Sequence, residues 1–380
     1  MQNNHLTYFK IENFKKFDSL EIQDIGQFNL IVGDNNVGKT CLLEALLFDK
    51  RPKNTINWFH ELLIKRRLIP NLFILLNEEN KELNFESNTF TFYQKNKKRP
   101  ISFQINEDRY SIENIFEEIH KTSKEDLKNF TDKVSLFDYD GIRKKSKNWI
   151  VFKNNDDVKF LLDLTSTYYE NFINKPENSK IPSIPSLMLN DELEKFLGKH
   201  YEQIFVKLNL GVKISEIILK LFPNIEITEF QSSEINLLSF KSLMIKTTER
   251  DEFHNIREYG EGFVRSIYIT ILLLSSDYNK IIIDEIDTGI HHTKLVELWK
   301  IVIQLCKELN IQLFATTHSK ECSEAFFQAS KELNETIQND IRLIELFQSK
   351  ETVFSGTVSG FENIEYSIKN LPFRGEKIYD

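Results

Sequence analysis

Short, nearly continuous apolar runs closed by polar or glycine-rich clusters mark both ends of this chain. Phe28 to Val32, Ile281-Ile282-Ile283 and the run from Ile311 to Ala315 each carry apolar residues without alternation. That is the pattern of parallel strands covered on both faces. Residues 82–110 alternate instead, as in Leu83-Asn84-Phe85, Phe90-Thr91-Phe92 and Ile101-Ser102-Phe103-Gln104-Ile105, with a basic turn from Lys95 to Arg99 and Pro100 between them. This predicts an antiparallel hairpin. Helical spacing follows the first run at Leu42, Leu43, Ala45, Leu46 and Leu47, and the stretch IYITILLL at 267–274 predicts a buried helix. That stretch is too short to span a bilayer and is flanked by Arg265 and Asp277. Residues 111–222 read as mainly helical, with apolar positions at Ile115, Ile119, Phe160, Leu161 and Leu164 and a break at Pro182 and Pro185. Strands return at Ile225-Glu226-Ile227 and from Ser242 to Ile245. No heptad pattern persists, which excludes long coiled-coil arms.

The first apolar run leads into Gly33-Asp34-Asn35-Asn36-Val37-Gly38-Lys39-Thr40, a complete G-x-x-x-x-G-K-[ST] phosphate-binding loop. A glycine-permissive turn aims backbone N–H groups at an anion, and the helix that follows adds its positive dipole end. Lys39 is then expected to reach the β- and γ-phosphates of ATP, and Thr40 to offer its hydroxyl to Mg²⁺.

Two downstream strands end in chemistry-bearing residues. Asp284 and Glu285 follow the three isoleucines, at the carboxyl end of a strand, where α/β sheets place ligands. Asp284 is the expected second Mg²⁺ ligand, and Glu285 the carboxylate that polarises the attacking water. His318 sits just past the strand ending Ala315-Thr316-Thr317, where it is placed to touch the γ-phosphate or that water.

The combination resembles the ABC-type ATPase heads of the RecF, SMC and OLD (overcoming-lysogenization-defect) group. Ile11-Glu12-Asn13-Phe14-Lys15-Lys16-Phe17 is similar to their opening strand and basic turn. The resemblance implies nucleotide contact for Lys15, Asn35, Asn36, Val37, Gly38, Lys39, Thr40 and Cys41. Glu258 to Arg265 resembles their signature motif, which implies that Gly260, Glu261 and Gly262 cover ATP bound to the opposite subunit. Asp287 to His292 resembles the D-loop, with Asp287 as its acidic residue, and Ala315 to Ser319 resembles the His switch. The signature is not LSGGQ. Gln94 and Gln104 are both candidates for the Q-loop.

The expected fold is α/β: a P-loop head with a mostly parallel core sheet, helices, an antiparallel β-subdomain and a compact, mainly helical insertion. Residues 1–110 and 223–380 would supply the two halves of the head and 111–222 the insertion.

With 380 residues and 41% hydrophobic content, the chain is a folded protein. Cys41, Cys306 and Cys322 form no C-x-x-C pair, which suits a reducing cytoplasm and argues against a zinc hook. The net charge of −8 excludes a uniformly basic nucleic-acid binder. Basic clusters at Lys65-Arg66-Arg67, Lys95 to Arg99 and Arg143-Lys144-Lys145, with Lys147 and Trp149 beside the last, leave DNA or RNA contact open. The expected partner set is a second copy through an ATP sandwich, forming a homodimer or higher homo-oligomer, with no membrane. The stretch that follows His318 is expected to be too short for a TOPRIM nuclease. Standalone heads of this kind resemble the sensor ATPases of the PARIS and Septu anti-phage systems. That implies an effector in trans, a nuclease or toxin. The alternative is a RecF-like repair ATPase that clamps DNA. A transporter ATPase is disfavoured by the insertion and the degenerate signature.

Overall fold

Among the described residues the elements run β1 (Phe9–Phe14), β2 (Phe17–Ile22), β3 (Phe28–Val32), α1 (Lys39–Ala45), β4 (Ile101–Ile105), β5 (Asp108–Phe116), β6 (Asn148–Asn154), β7 (Asp157–Asp163), α2 (Gly211–Leu221), β8 (Ile227–Ile235), β9 (Phe240–Thr247), β10 (Arg250–Asn255), α3 (Glu261–Ser275), β11 (Lys280–Ile283), α4 (His292–Glu308), β12 (Gln312–Thr316), α5 (Lys320–Lys331), α6 (Glu335–Gln338), β13 (Ile341–Gln348), β14 (Phe354–Gly360) and α7 (Phe361–Asn370). The computed structural model describes residues 5–52, 54–55, 93–96, 99–116, 148–155, 157–163, 201–235, 240–275, 279–348 and 354–371.

The central sheet has the order β11-β12-β3-β13-β14. Its first four strands are parallel, and β14 closes it antiparallel to β13. The nearly continuous apolar runs are explained by this sheet, because alternate side chains enter two different cores. Ile31, Ile282, Phe314 and Ile344 face the core that holds α1 and the antiparallel sheet. Leu30, Val32, Ile281, Ile283, Leu313 and Ala315 face the core shared with α2, α3, α4 and α5. The 267–274 stretch lies within α3, with Ile267, Ile271 and Leu272 fully buried.

The antiparallel sheet has the order β2-β1-β4-β5-β6-β7. It differs from the sequence expectation in two ways. The 101–105 strand is present, but its hairpin partner is the following strand β5, turning at Asn106-Glu107, and it also pairs with β1. Residues 83–92 lie outside the described residues. The expected boundary at 110 falls inside β5, and Ile115, Phe160 and Leu161 lie on strands β5 and β7, not on helices. Apolar residues at i and i+1 satisfy a strand buried on both faces as well as a helix, so spacing alone misassigned them. Ile119 and Leu164 are outside the described residues. Within the expected insertion, the described helix α2 packs on α3 and α4, and Ile204 of a π-helical turn at Glu202–Lys207 joins the same core, so both belong to the head.

A small antiparallel sheet, β10-β9-β8, leads into α3. Asn13 ties the first basic turn to the second. Its amide nitrogen donates to the Arg99 carbonyl (2.7 Å), and its amide oxygen accepts from the Asn96 N–H (2.6 Å).

Lys280 opens β11 and is half-buried, with its ammonium donating to the carbonyls of Leu46 and, at 3.4 Å, Phe48. It thereby closes the end of α1, where backbone carbonyls lack helical partners. Burial pushes its pKa down to about 8, with Asp49 opposing. In the unfolded chain a lysine titrates near ~10.4. Below the folded value both states are protonated and the folded state bears the whole desolvation penalty. Between the two values the unfolded chain binds more protons, so stability rises with pH. Denaturation of wild type and Lys280→Met at about pH 7 and about pH 9.5 should therefore show the difference moving in favour of wild type at the higher pH. A pH-independent difference would contradict a buried ammonium at this position.

Candidate nucleotide site

β3 delivers the chain to Gly33, whose φ is 139°, and a Cβ there would lie 2.3 Å from the Leu346 carbonyl oxygen on β13. Only glycine fits this approach. The loop then turns through Asn36 (φ 70°) and Gly38 into α1, with Val37 buried against Gly33. Lys39 folds back over the loop it begins. Its ammonium donates to the carbonyls of Gly33 (2.5 Å) and Asp34 (2.9 Å) and lies 3.1 Å from His318 Nδ1. Burial lowers its pKa to about 8, while Asp284, Asp34 and Glu285 act in the opposite direction. An ammonium only donates, so Nδ1 is the accepting nitrogen and the neutral ring carries its proton on Nε2.

The parallel pairing brings the ends of β11, β12 and β3 side by side. Thr40 Oγ1 donates to Asp284 Oδ2 (3.1 Å), and Thr316 Oγ1 donates to Asp284 Oδ1 (2.6 Å). A hydroxyl and a carboxylate are hard oxygen donors, the ligand chemistry that suits Mg²⁺. Glu285 adopts a positive φ of 46°. Three bonds hold it there: its N–H donates to Thr316 Oγ1 (2.8 Å), and the Arg265 guanidinium donates to the carbonyls of Asp284 (2.7 Å) and Glu285 (3.2 Å). Arg265 itself is buried, which lowers its pKa. The Glu285 side chain stays half exposed, with Oε1 3.6 Å from His318 Nε2 and Oε2 accepting from Thr288 Oγ1 (3.3 Å). Asn35, Glu285, Asp287, Thr288, His318 and Ser319 line an open cleft.

The expected signature residues form the entrance to α3 and are packed against the expected D-loop of the same chain. A Cβ on Gly262 would lie 2.5 Å from the Gly289 carbonyl oxygen, and the Glu261 side chain covers Gly289. Gly260 faces open space. Asp287 is fixed from the other side, where Thr317 Oγ1 donates to its Oδ1 (2.7 Å). Segment 260–262 and segment 287–289 are therefore packed directly against each other beside the end of β11.

Of the residues expected to serve a nucleotide, Lys39, Thr40, Asp284, Glu285 and His318 converge. Asn35 and Asp287 share their cleft. Lys15 is not among the residues that converge there. Its ammonium pairs with the fully buried Glu44 of α1 and sits over the Tyr93 ring. Lys16 is the lysine that reaches the loop, donating to the Asn36 carbonyl (2.7 Å). Cys41 lies beside this basic turn in the first turn of α1, and burial raises its pKa. Both Q-loop candidates serve backbone: Gln94 donates to the Arg99 carbonyl (2.8 Å) and Gln104 to the Asn106 carbonyl (2.9 Å). Sequence reasoning did not single out Thr316, Thr317, Arg265 or Glu44. The only local signals were two threonines closing an apolar strand and one acid on an otherwise apolar helix face.

With this geometry in view, residues 28–321 match the family model described as AAA domain, putative AbiEii toxin, Type IV TA system. A curated relative, an ATP/GTP phosphatase of Helicobacter pylori, is 23% identical over 388 residues, spanning 95% of this chain and 97% of its own. Among solved structures, the SMC head bound to the C-winged helix domain of ScpA aligns at a TM-score of 0.50 and 12% identity, covering 95% of this chain and 99% of that one. The SMC head domain from Thermotoga maritima aligns at a TM-score of 0.41 and 11% identity, over 93% and 99%. Among the described residues no helix is long and apolar enough to cross a membrane. The fold is that of an ABC-type P-loop ATPase head of the SMC kind, and the chain belongs to the AAA-domain family that its residues 28–321 match.

Proposed function

We propose that this chain is an Mg²⁺-dependent ATPase that acts as a nucleotide-controlled switch. The observation that carries the reading is the convergence of Lys39, Thr40, Asp284, Glu285 and His318 at the ends of three adjacent parallel strands. Lys39 leaves the Gly33 and Asp34 carbonyls to grip the β- and γ-phosphates. The backbone N–H groups of residues 35–41 and the start of α1 receive the remaining phosphate charge. Thr40 and Asp284 would hold Mg²⁺, which would supply charge neutralisation at the phosphate oxygens. Glu285 orients the water, and His318, freed from Lys39, senses the γ-phosphate. Catalysis is positioning and electrostatics. The relative named ATP/GTP phosphatase supports hydrolysis and makes GTP a second substrate worth assaying.

The switch works through a second copy. Gly260, Glu261 and Gly262 of one subunit cover the nucleotide held by the other, and Asp287 lies at the junction. Two nucleotides then join two heads, and hydrolysis lets them part. The output is an effector in trans, a nuclease or toxin, within bacterial anti-phage defence. The family's description as a putative toxin of a type IV TA system supports a conflict-related role. An SMC head solved with a bound protein domain supports a protein partner.

Lys39→Ala should lose ATP binding in a titration while keeping its fold by circular dichroism. Glu285→Gln should bind ATP, hydrolyse it at least about a hundredfold more slowly, and accumulate an ATP-dependent dimer by light scattering. Adding Lys39→Ala to Glu285→Gln should remove that dimer. A Glu285→Gln variant that turns over normally would remove the water-orienting assignment.

Gly262→Ala forces a methyl onto the Gly289 carbonyl within the same chain. It should destabilise the isolated protein by roughly 1–3 kcal/mol in urea unfolding. ATP-dependent dimerisation should weaken as well, because the signature and D-loop segments shift together.

The purified chain should hydrolyse ATP without cutting DNA or RNA in Mg²⁺ or Mn²⁺, and should co-purify from native cells with the product of an adjacent gene. Metal-dependent cleavage abolished by a Glu285 variant would overturn the in-trans effector.

A further inference from the structure

Thr316 is the last residue of β12 and fully buried. It pairs with Ile31 of β3 on one side and lies level with Asp284, just beyond β11, on the other. Its hydroxyl has two partners of opposite kind. The Glu285 N–H donates to Oγ1 (2.8 Å), and Oγ1 donates to Asp284 Oδ1 (2.6 Å). A backbone N–H only donates, so the hydroxyl proton is directed at the carboxylate. The Thr316 carbonyl then accepts from the Ile286 N–H (3.1 Å). One residue therefore contacts all three positions that follow β11.

Two consequences follow for the site. Asp284 Oδ1 is capped, which leaves Oδ2, the oxygen facing Thr40 Oγ1 at 3.1 Å, to meet a cation. Thr40 must turn its hydroxyl away from Asp284 when its oxygen ligates a metal, and Asp284 then loses one of its two hydroxyl donors. Thr316 is the one that stays. The same hydroxyl also helps hold Glu285 at its positive φ, and so sets where the Glu285 carboxylate emerges.

We propose that Thr316 is a positioning residue for divalent-cation binding and for hydrolysis, acting through Asp284 and Glu285 by its hydroxyl. This rests on the ATPase reading above. A hydrogen bond to a charged group is worth enough to change an affinity or rate by about tenfold to a hundredfold. Valine matches the shape of threonine and removes only the donor and acceptor, whereas serine keeps both.

The test uses the full chain with a fluorescent ATP analogue, titrated with Mg²⁺ from an EDTA baseline, together with single-turnover hydrolysis and thermal melts. Thr316→Val should leave metal-free nucleotide binding intact. It should raise the Mg²⁺ concentration for half-maximal effect about tenfold or more and slow hydrolysis by a similar factor. Thr316→Ser should restore both. A Thr316→Val protein with wild-type Mg²⁺ dependence would overturn the proposal. So would a Thr316→Ser protein as defective as the valine variant, because the methyl group and not the hydroxyl would then matter. If Thr316→Val does not fold, Thr316→Ala carries the same comparison against serine. Wild-type protein that binds no nucleotide would instead sink the ATPase reading itself, a result distinguishable from either outcome at Thr316.

Discussion

Parallel pairing of β3 with β12, and of β12 with β11, is the constraint on which everything else depends. The registers Leu313↔Phe28 and Ile281↔Leu313 bring three strand ends to the same level. Each strand then releases one kind of chemistry at that level: a glycine loop and lysine from β3, two carboxylates from β11, two threonines and a histidine from β12. Hydrogen bonds between Thr40, Asp284 and Thr316 span 244 and 32 positions of sequence. A slip of one residue in any strand would send its apolar side chains into the wrong core and separate these groups. The site is thus specified by the same pattern that fills the two cores.

Strain at Glu285 shows how the site is kept ready. A positive φ at a glutamate is unfavourable and persists only where the surroundings over-determine it. Here Thr316, Arg265 and the turn to Ile286 do so together. Arg265 belongs to α3, whose first turn carries Gly262 and packs on Gly289. The helix that carries the expected signature segment therefore holds the backbone beneath the Glu285 carboxylate. Rigid coupling of the two follows from packing, with no need for a moving part between them.

The three apolar strands and their terminal residues were legible in the sequence because both-face burial leaves an unmistakable run and because the phosphate loop has fixed spacing. Within the antiparallel sheet the reading was weaker. Ile115, Phe160 and Leu161 fit helical spacing, yet β5 and β7 use them as strand positions. Adjacent apolar residues carry no period, so only pairing with β6 decides the matter. Resemblance implies nucleotide contact for Lys15, while the partner that the fold gives it, Glu44, lies 29 positions away on α1. Nothing local distinguishes a lysine that will meet a buried acid from its neighbour that will reach the loop. Thr316 and Arg265 stand inside segments read for other residues, and their own roles lie in partners brought by the fold.

The buried pair of Lys15 and Glu44 also accounts for how the basic turn is aimed. Glu44 lies on the P-loop helix with its side chain fully enclosed. An unpaired carboxylate there would be strongly disfavoured, so removing Lys15 leaves an uncompensated buried charge. Lys15 meets this requirement from a backbone with φ of 49°, with its N–H donating to the Tyr93 carbonyl (2.6 Å) and its ammonium over the Tyr93 ring. Fixing Lys15 inward leaves the next residue, Lys16, on the side of the loop, where it meets Asn36. Asn13 locks the same turn to residues 96–99. The first strand, the P-loop helix and the second basic turn are therefore joined at one buried charge, and the cation presented to the loop's outer edge is Lys16, because Lys15 is engaged in holding that edge in place.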